Sequence, residues 1–188
     1  MKILAIIAAV VLVVALVAGG SFVNRRNEMV AQREGIKSSW AQVDTVLQRR
    51  SDLVPNLVET VKGFAAQELA VFDSIAKARA AMAGARTPAE RIAANEQLSG
   101  ALARLLVVVE NYPNLKSNEN FLRLQDELAG TENRIAVERR KYNEVVQVYN
   151  TNIQLFPNNL VAAMSGMQRE DAYFRATEAS RQAPAVKF

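Results

Sequence analysis

The chain has 188 residues, with 23 Lys and Arg against 19 Asp and Glu, so its net charge of +4 is modest. It contains neither Cys nor His, which excludes disulfides, thiolate chemistry, Cys/His metal sites and imidazole acid/base catalysis. Basic and acidic residues are interspersed along the chain, so we expect no nucleic-acid partner. We interpret the basic runs at 49–50 and 139–141 as solvated helix faces.

Residues 3–23 form the most apolar segment of the chain and carry no charged side chain. About 21 residues at about 1.5 Å each are enough to cross the hydrocarbon layer of a membrane. The alternative is a cleaved signal peptide, with Lys2 as its charged start and residues 18–20 as its cleavage region. We favour a membrane anchor because the apolar part of a signal peptide usually has about 7 to 15 residues.

The charges that flank this segment predict its orientation. Arg25, Arg26, Arg33 and Lys37 follow it, whereas only Lys2 and the chain terminus precede it. The positive-inside rule therefore places the rest of the chain in the cytoplasm. The opposite orientation, with the domain outside the cytoplasm, is the alternative.

Beyond the anchor, apolar residues recur at alternating steps of three and four on both sides of Pro55. The stripe comprises Ile36, Trp40, Val43, Leu47, Val54, Leu57, Val61, Phe64, Ile75 and Met82. This spacing predicts a helix with coiled-coil packing. The register agrees across Pro55 if Arg50 occupies the seam, which favours one kinked helix. A new helix capped by Ser51 or Asp52 is the alternative.

A second helix is predicted after a break at Gly84. Thr87 supplies a capping hydroxyl, Pro88 a preset first turn, and Glu90 a carboxylate that reaches back to the cap. The predicted seam of this helix is Leu98, Leu102, Leu105 and Val109, and the helix ends at Asn111 before Pro113.

A third helix is predicted to begin at Ser117 and to end at Phe156. Its large residues fall at every seventh position: Phe121, Leu128, Ile135, Tyr142, Tyr149 and Phe156. One heptad register over that length predicts left-handed supercoiling. A shorter fourth segment carries Leu160, Val161, Met164, Met167, Tyr173 and Phe174.

Long helices joined by short connections must lie antiparallel, so we predict an all-α fold. It consists of a transmembrane anchor at 1–23, an antiparallel up-and-down four-helix bundle at 24–175 and a flexible tail at 176–188. No segment has the alternating period of a strand, and we assign no sheet.

No catalytic, cofactor or metal site is predicted. Acidic residues on the third helix, Glu127, Glu132, Glu138 and Glu144, are five or six apart and point in different directions. They are interpreted as solvated or ion-paired, for instance Glu138 with Arg134. The aromatic residues Trp40, Phe64, Tyr142, Tyr149 and Phe156 are interpreted as core and not as a ligand-stacking site.

Asn143 and Asn150 lie beside the aromatic seam of the third helix. They form either a buried polar ladder that fixes helix register or a boundary that faces water.

Five motifs carry a resemblance to a known family. They are RRSDLVPNLVETVKG at 49–63, ENYPNLK at 110–116, TENRIA at 131–136, Tyr142-Asn143 and Phe156-Pro157. In these motifs the chain closely resembles the LemA family, from the apolar segment to residues 173–174.

This resemblance implies a bacterial protein of the cell (inner) membrane with one amino-terminal span and a helical domain, and it implies no activity. Some magnetosome membrane components are similar to the family, and its members are often encoded near membrane proteases. We therefore expect a non-enzymatic scaffold or adaptor with no cofactor and no small-molecule substrate. A regulatory subunit of a membrane enzyme such as a protease is the alternative.

The second helix also predicts self-association. Ala93, Gly100 and Val107 recur at sevens on a small-residue face with Ala103 beside them. This face either contacts a second copy of the chain or lies inside the bundle, wrapped by the other helices. An unidentified membrane protein is the other expected partner.

Overall fold

The computed structural model describes residues 1–175, and this part of the chain is all-helical, without a strand. Its helices are α1 (Lys2–Lys62), α2 (Leu69–Gly84), α3 (Pro88–Val109), α4 (Pro113–Lys116), α5 (Glu119–Asn152) and α6 (Asn158–Met164). The predicted flexible tail at 176–188 lies outside the described residues. The all-α prediction is confirmed.

The chain divides into two compact units. Unit 1 consists of Met1–Ser39 and Tyr142–Asp171, and unit 2 consists of Trp40–Lys141 and the residues from Ala172 onward. Helices α1 and α5 each contribute residues to both units.

Helix α1 runs without interruption through Pro55. Arg50 occupies the predicted seam position, and it is buried together with Val54 and Leu57. The alternative of a new helix at Ser51 or Asp52 is therefore wrong. The packing of the seam on both sides of the proline outweighs the one backbone hydrogen bond that Pro55 cannot donate.

The actual end of α1 comes after Lys62, in a segment where we expected the stripe to continue. The amide of Ala65 donates to the Val61 carbonyl over 2.9 Å, and the side chain of Ala65 is buried. Phe64, predicted to lie in the core, is 42% exposed. The turn that follows Gly63 rotates the chain out of the helical register, so Ala65 fills the place expected for Phe64.

Unit 2 is built around an antiparallel pair, α2 and α3. Arg104 donates to the Ser74 hydroxyl over 2.9 Å, and Arg91 donates to the Met82 carbonyl over 3.0 Å. The predicted seam of α3 is buried at all four positions, namely Leu98, Leu102, Leu105 and Val109. That part of the prediction is confirmed.

The start of α3 has the predicted capping box. The Glu90 amide donates to Thr87 Oγ1 over 3.2 Å, and the Thr87 amide donates to Glu90 Oε2 over 3.1 Å. The backbone amides of Arg86 and Thr87 that hydrogen-bond to the Glu90 carboxylate lower the pKa of Glu90. The two bonds satisfy backbone donors that the first turn of a helix would otherwise leave open.

In unit 1, α1 and α5 run antiparallel. Asn152 donates to Gln32 Oε1 over 2.9 Å, whereas Val145, further back along α5, lies beside Gly35. The buried residues of the unit include Met29, Ile36, Tyr142, Val146, Tyr149, Ile153, Val161 and Ala162.

The heptad of α5 holds at most of its predicted positions. Phe121, Ile135, Tyr142 and Tyr149 are buried, and Leu128 is half-buried against the core of unit 2. Phe156 is 80% exposed, so its assignment to the core is wrong. Helix α5 ends at Asn152, and the turn before Asn158 leaves the helical register that would have buried Phe156.

The apolar start of α1 is long and apolar enough to cross a membrane. Every residue from Met1 to Ser21 is exposed. Helix α3 also has the length and composition of a span, but its apolar seam is buried in unit 2, as in the core helix of a soluble domain.

Candidate functional site

The most unusual side chain of unit 2 is Arg50, a charged residue in the middle of an apolar seam. Arg50 is 7% exposed, with Leu47 and Val54 buried on either side of it along α1. The interpretation of 49–50 as a solvated face is correct for Arg49, whose side chain is 61% exposed, and wrong for Arg50. The helical register turns the two neighbours in different directions.

Two helices, α3 and α5, supply the groups that surround the Arg50 guanidinium. Its Nη1 donates to Asn95 Oδ1 over 3.0 Å and to Ser99 Oγ over 2.9 Å, both on α3. The same nitrogen lies 2.9 Å from Glu132 Oε2 on α5. Asn95 is buried, whereas the Glu132 side chain is 48% exposed. A buried charge is tolerated because it is paired and hydrogen-bonded.

The electrostatics of Arg50 reflect its burial. Desolvation lowers the pKa of the guanidinium, the charge of Glu132 opposes that shift, and the charge of Arg139 adds to it. An arginine is nonetheless not deprotonated in proteins, so the group stays a cation. Its Nε is buried and has no hydrogen-bond partner among the described residues.

A groove of about 260 Å³ adjoins this cluster. Its polar lining residues are Arg50, Ser99, Gln125 and Glu132, and its apolar lining residues are Leu57, Leu102, Leu106, Leu128 and Ala129. A few polar groups beside an apolar surface are typical of a binding site, where they orient a ligand or a partner side chain.

The acidic residues of α5 are ion-paired in part. Glu132 belongs to the Arg50 cluster, and Glu127 lies 3.6 Å from Arg49. Glu138 pairs with Lys141 over 2.8 Å instead of with Arg134 as predicted. Within residues 1–175 the structure contains no group of three or more Asp, Glu, His or Cys side chains that could hold a metal ion.

Asn150 has a role that neither interpretation of the sequence anticipated. It is buried, its Nδ2 donates to the Glu170 carbonyl over 2.7 Å, and the Glu170 amide donates back to Oδ1 over 2.9 Å. The adjacent Tyr149 hydroxyl donates to the Gln168 carbonyl over 2.9 Å. These bonds fasten a non-helical segment to α5 instead of linking helices. Asn143 is half-buried.

Burial raises the pKa of the Tyr149 phenol, Glu170 contributes in the same direction, and Arg33 opposes the shift. The neutral phenol is the form that donates to Gln168. In the sequence, only the spacing of Asn150 pointed to its contact with Glu170. The partner is the backbone of Glu170, which any residue could supply, so the sequence at that position carries no signal.

Phe174 packs against an aromatic and a basic side chain of unit 2. It is buried, its ring stacks on Trp40 with 6.1 Å between centroids, and the Arg139 guanidinium lies 4.6 Å from its ring centre. The predicted fourth segment is helical only over Asn158–Met164, so Tyr173 and Phe174 lie beyond it in irregular structure.

The small-residue face of α3 lies on the surface. Ala93, Gly100, Ala103 and Val107 are all exposed, and Leu106 beside them is 41% exposed. The alternative in which the other helices wrap this face is therefore wrong.

Comparison with known proteins identifies the chain. The model of the LemA family matches residues 39–188. Magnetosome protein MamQ 2 of Paramagnetospirillum magneticum is 28% identical, over 89% of this chain and 70% of that protein. Magnetosome protein MamQ of Magnetospirillum gryphiswaldense is 26% identical, over 80% and 64%. Protein LemA of Metamycoplasma hominis is 24% identical, over 85% and 73%. The family match covers most of the chain, and this protein belongs to the LemA family.

Proposed function

We propose that this protein is a membrane-anchored helical scaffold or adaptor that acts by binding other proteins and catalyses no reaction. One observation carries the proposal: a single helix, α1, contains both an exposed apolar segment of spanning length and the seam residues of a packed helical domain. Such a helix would hold a domain that binds other proteins at the surface of a bilayer. Two relatives are named as magnetosome proteins, and that name describes a component and not a reaction.

The proposal includes the arrangement of unit 2 as an up-and-down four-helix bundle. Two observations support it. The first is that α2 and α3 are antiparallel. The second is that α1 runs in the same direction as α3. Asp44 pairs with Arg91 over 2.6 Å, and further along both helices Arg50 bonds to Ser99. The fourth helix is α5, which contributes Glu132 to the same cluster.

The orientation that we propose has the domain in the cytoplasm, on the inner face of a bacterial cell membrane. This orientation is supported by the excess of basic residues that follow the span, of which Arg25 and Arg26 are the first. A reporter enzyme that is active only outside the cytoplasm, fused after Phe188, is expected to be inactive. Strong reporter activity would reverse the orientation.

We further propose that the exposed small-residue face of α3 is a contact between copies of the chain. Small residues let a second helix approach closely, and tethering to a membrane raises the effective concentration of neighbouring copies. The Ala103→Glu variant places a charge in this contact and should abolish crosslinking between copies in intact membranes. Because Ala103 is exposed, helical content and melting temperature should stay close to those of the original protein.

Ala136→Glu is the matched control, since Ala136 is an exposed alanine on α5 and not on α3. It should crosslink like the original chain. If a folded Ala103→Glu variant still crosslinks, the contact between copies lies elsewhere.

Partner capture distinguishes the scaffold from its alternative. The full chain is purified from native membranes in mild detergent, and the proteins bound to it are identified and quantified. A scaffold should recover copies of itself and substoichiometric partners. A membrane protease recovered in one-to-one ratio would instead favour a regulatory subunit.

A further inference from the structure

Unit 1 has a cluster of exposed apolar side chains just after α5. Leu155 is 56% exposed, Phe156 80%, Leu160 55% and Met164 77%. We call these four residues the interfacial patch. Single exposed apolar residues are ordinary on protein surfaces, but several large ones within ten positions of sequence mark an interaction site.

The short helix α6 is two-sided at this point. Leu160 and Met164 lie one turn apart and share a face. The opposite face, with Asn158, Val161 and Ala162, is buried against unit 1. The apolar face of α6 is therefore held outward by packing on its other side.

Hydrogen bonds fasten α6 to α1 where the apolar segment ends. Arg25 Nη1 donates to Asn158 Oδ1 over 2.6 Å, and Asn158 in turn donates to Asn152. Arg25 follows Val23 by two residues, which is about 3 Å along a helix axis. Phe22 is the first residue of α1 that is half-buried, and Met29 is completely buried. Burial of α1 within unit 1 therefore begins at the end of its apolar run.

Charge favours a lipid surface as the occupant of the patch. No charged residue occurs between Ile153 and Gln168, whereas Arg25 on α1 bonds to Asn158 in this segment and Arg26 is its neighbour in the sequence. Interfacial helices bury their apolar face about 5 to 10 Å into the boundary between headgroups and acyl chains. Basic residues at that level attract anionic headgroups.

From these observations we infer that the interfacial patch inserts into the headgroup region of the same bilayer that α1 crosses. The inference rests on the proposed anchoring by α1. The patch then forms a second contact with the membrane, and the Arg25–Asn158–Asn152 hydrogen bonds fix it at the level where the span ends.

Depth-dependent fluorescence quenching tests this inference with the full chain in vesicles of phosphatidylcholine and phosphatidylglycerol. Trp40 is the one tryptophan of the chain and is first replaced by Phe. Tryptophan is then introduced separately by Phe156→Trp in the patch, Val13→Trp in the span and Val148→Trp as the control. Quenching by brominated lipids and by aqueous acrylamide is measured for each variant.

Val148 is a suitable control because it is 57% exposed and belongs to the same unit. It lies on α5 between the residues that contact Gln32 and Gly35, which is about 15 Å beyond Val23 along α1. Its tryptophan should be quenched by acrylamide and not by brominated lipid.

The expected result is that brominated lipids quench the tryptophans at 13 and 156 and shift their emission to the blue. Quenching at 13 but not at 156 would overturn the interfacial patch and leave the anchor intact. An absence of lipid quenching at both positions would overturn the anchor as well. Equal lipid quenching at 148 and 156 would overturn the patch, because contact with lipid would then not be specific to it.

Discussion

Arg50 in unit 2 and Asn150 in unit 1 are both buried polar residues within apolar seams, but the two are stabilised in different ways. Arg50 is a permanent charge, and side chains from α3 and α5 supply its partners. Asn150 is neutral, and its side-chain amide bonds to the backbone carbonyl and the backbone amide of Glu170. The first joins helices, and the second holds an irregular segment against one helix.

The difference shows that the free-energy cost of burying a polar group determines which hydrogen-bond partners the group needs. A buried charge needs several polar side chains, so Arg50 requires matched positions on other helices. A neutral amide both donates and accepts, so the carbonyl and the amide of one backbone residue can bond to it. The Arg50 cluster therefore depends on the packing of three helices, whereas the Asn150 contact depends on the path of a single segment.

The largest losses of stability are expected when a residue of the apolar seam around either polar residue is truncated. Ile135→Ala in unit 2 and Tyr149→Ala in unit 1 should each lower the free energy of unfolding by roughly 2 to 5 kcal/mol, because each truncation loses buried surface and leaves a cavity. Urea unfolding in detergent micelles measures this loss. The exposed Glu119→Ala is the control, and a loss no larger than that of the control would contradict the heptad assignment.

The Arg50→Ala variant tests the cluster of unit 2. We expect a loss of about 3 kcal/mol, because removal of the long side chain leaves a cavity and the buried Asn95 Oδ1 loses its hydrogen-bond donor. Arg49→Ala is the matched control, and it should cost less than about 1 kcal/mol since Arg49 is a surface residue. Equal losses for the two variants would mean that Arg50 is not the structural centre of the cluster.

The Asn150→Ala variant tests the corresponding contact in unit 1. It should cost about 1 to 3 kcal/mol, because the Glu170 amide and carbonyl both lose their partner. Hydrogen exchange at the Glu170 amide should accelerate, while exchange within α5 should change little. Asn133→Ala, an exposed asparagine of the same helix, should leave exchange at Glu170 unchanged.

The smallest effect concerns the Tyr149 hydroxyl. Burial raises the pKa of this phenol above the ordinary tyrosine value of about 10. The stability that the neutral phenol contributes is therefore fully present below about pH 10. It is lost as pH rises through the higher pKa of the folded state. Tyr149→Phe should cost about 1 kcal/mol at neutral pH through the lost bond to Gln168. Its melting temperature should then fall less steeply than that of the original protein above pH 10. Parallel pH profiles would contradict this assignment.

Much of the helical architecture could be predicted from the sequence. The capping residues Thr87 and Glu90 set the start of α3, and the spacing of Leu98, Leu102 and Leu105 identified its buried face. The agreement of register across Pro55 correctly predicted a continuous helix with Arg50 in the seam. Each of these signals is local and periodic.

The failures have a common physical cause. Periodicity identifies the buried face of a helix but not the residue at which the helix stops, so Phe64 and Phe156 were assigned to the core although each lies beyond a helix end. The segment around Glu170 has no period, because side chain to backbone hydrogen bonds hold it. The sequence predicted Arg50 in the seam but not its partners, since it does not show that Asn95 and Glu132 contact the same guanidinium.

We propose that residues 1–23 remain on the protein and anchor it in a membrane. The most direct test is the intact mass of the chain recovered from bacterial membranes after an alkaline carbonate wash. We predict that the protein stays in the membrane fraction with the mass of the uncleaved chain, 20.7 kDa. A soluble product that has lost its apolar start would contradict the anchor and establish a cleaved signal peptide instead.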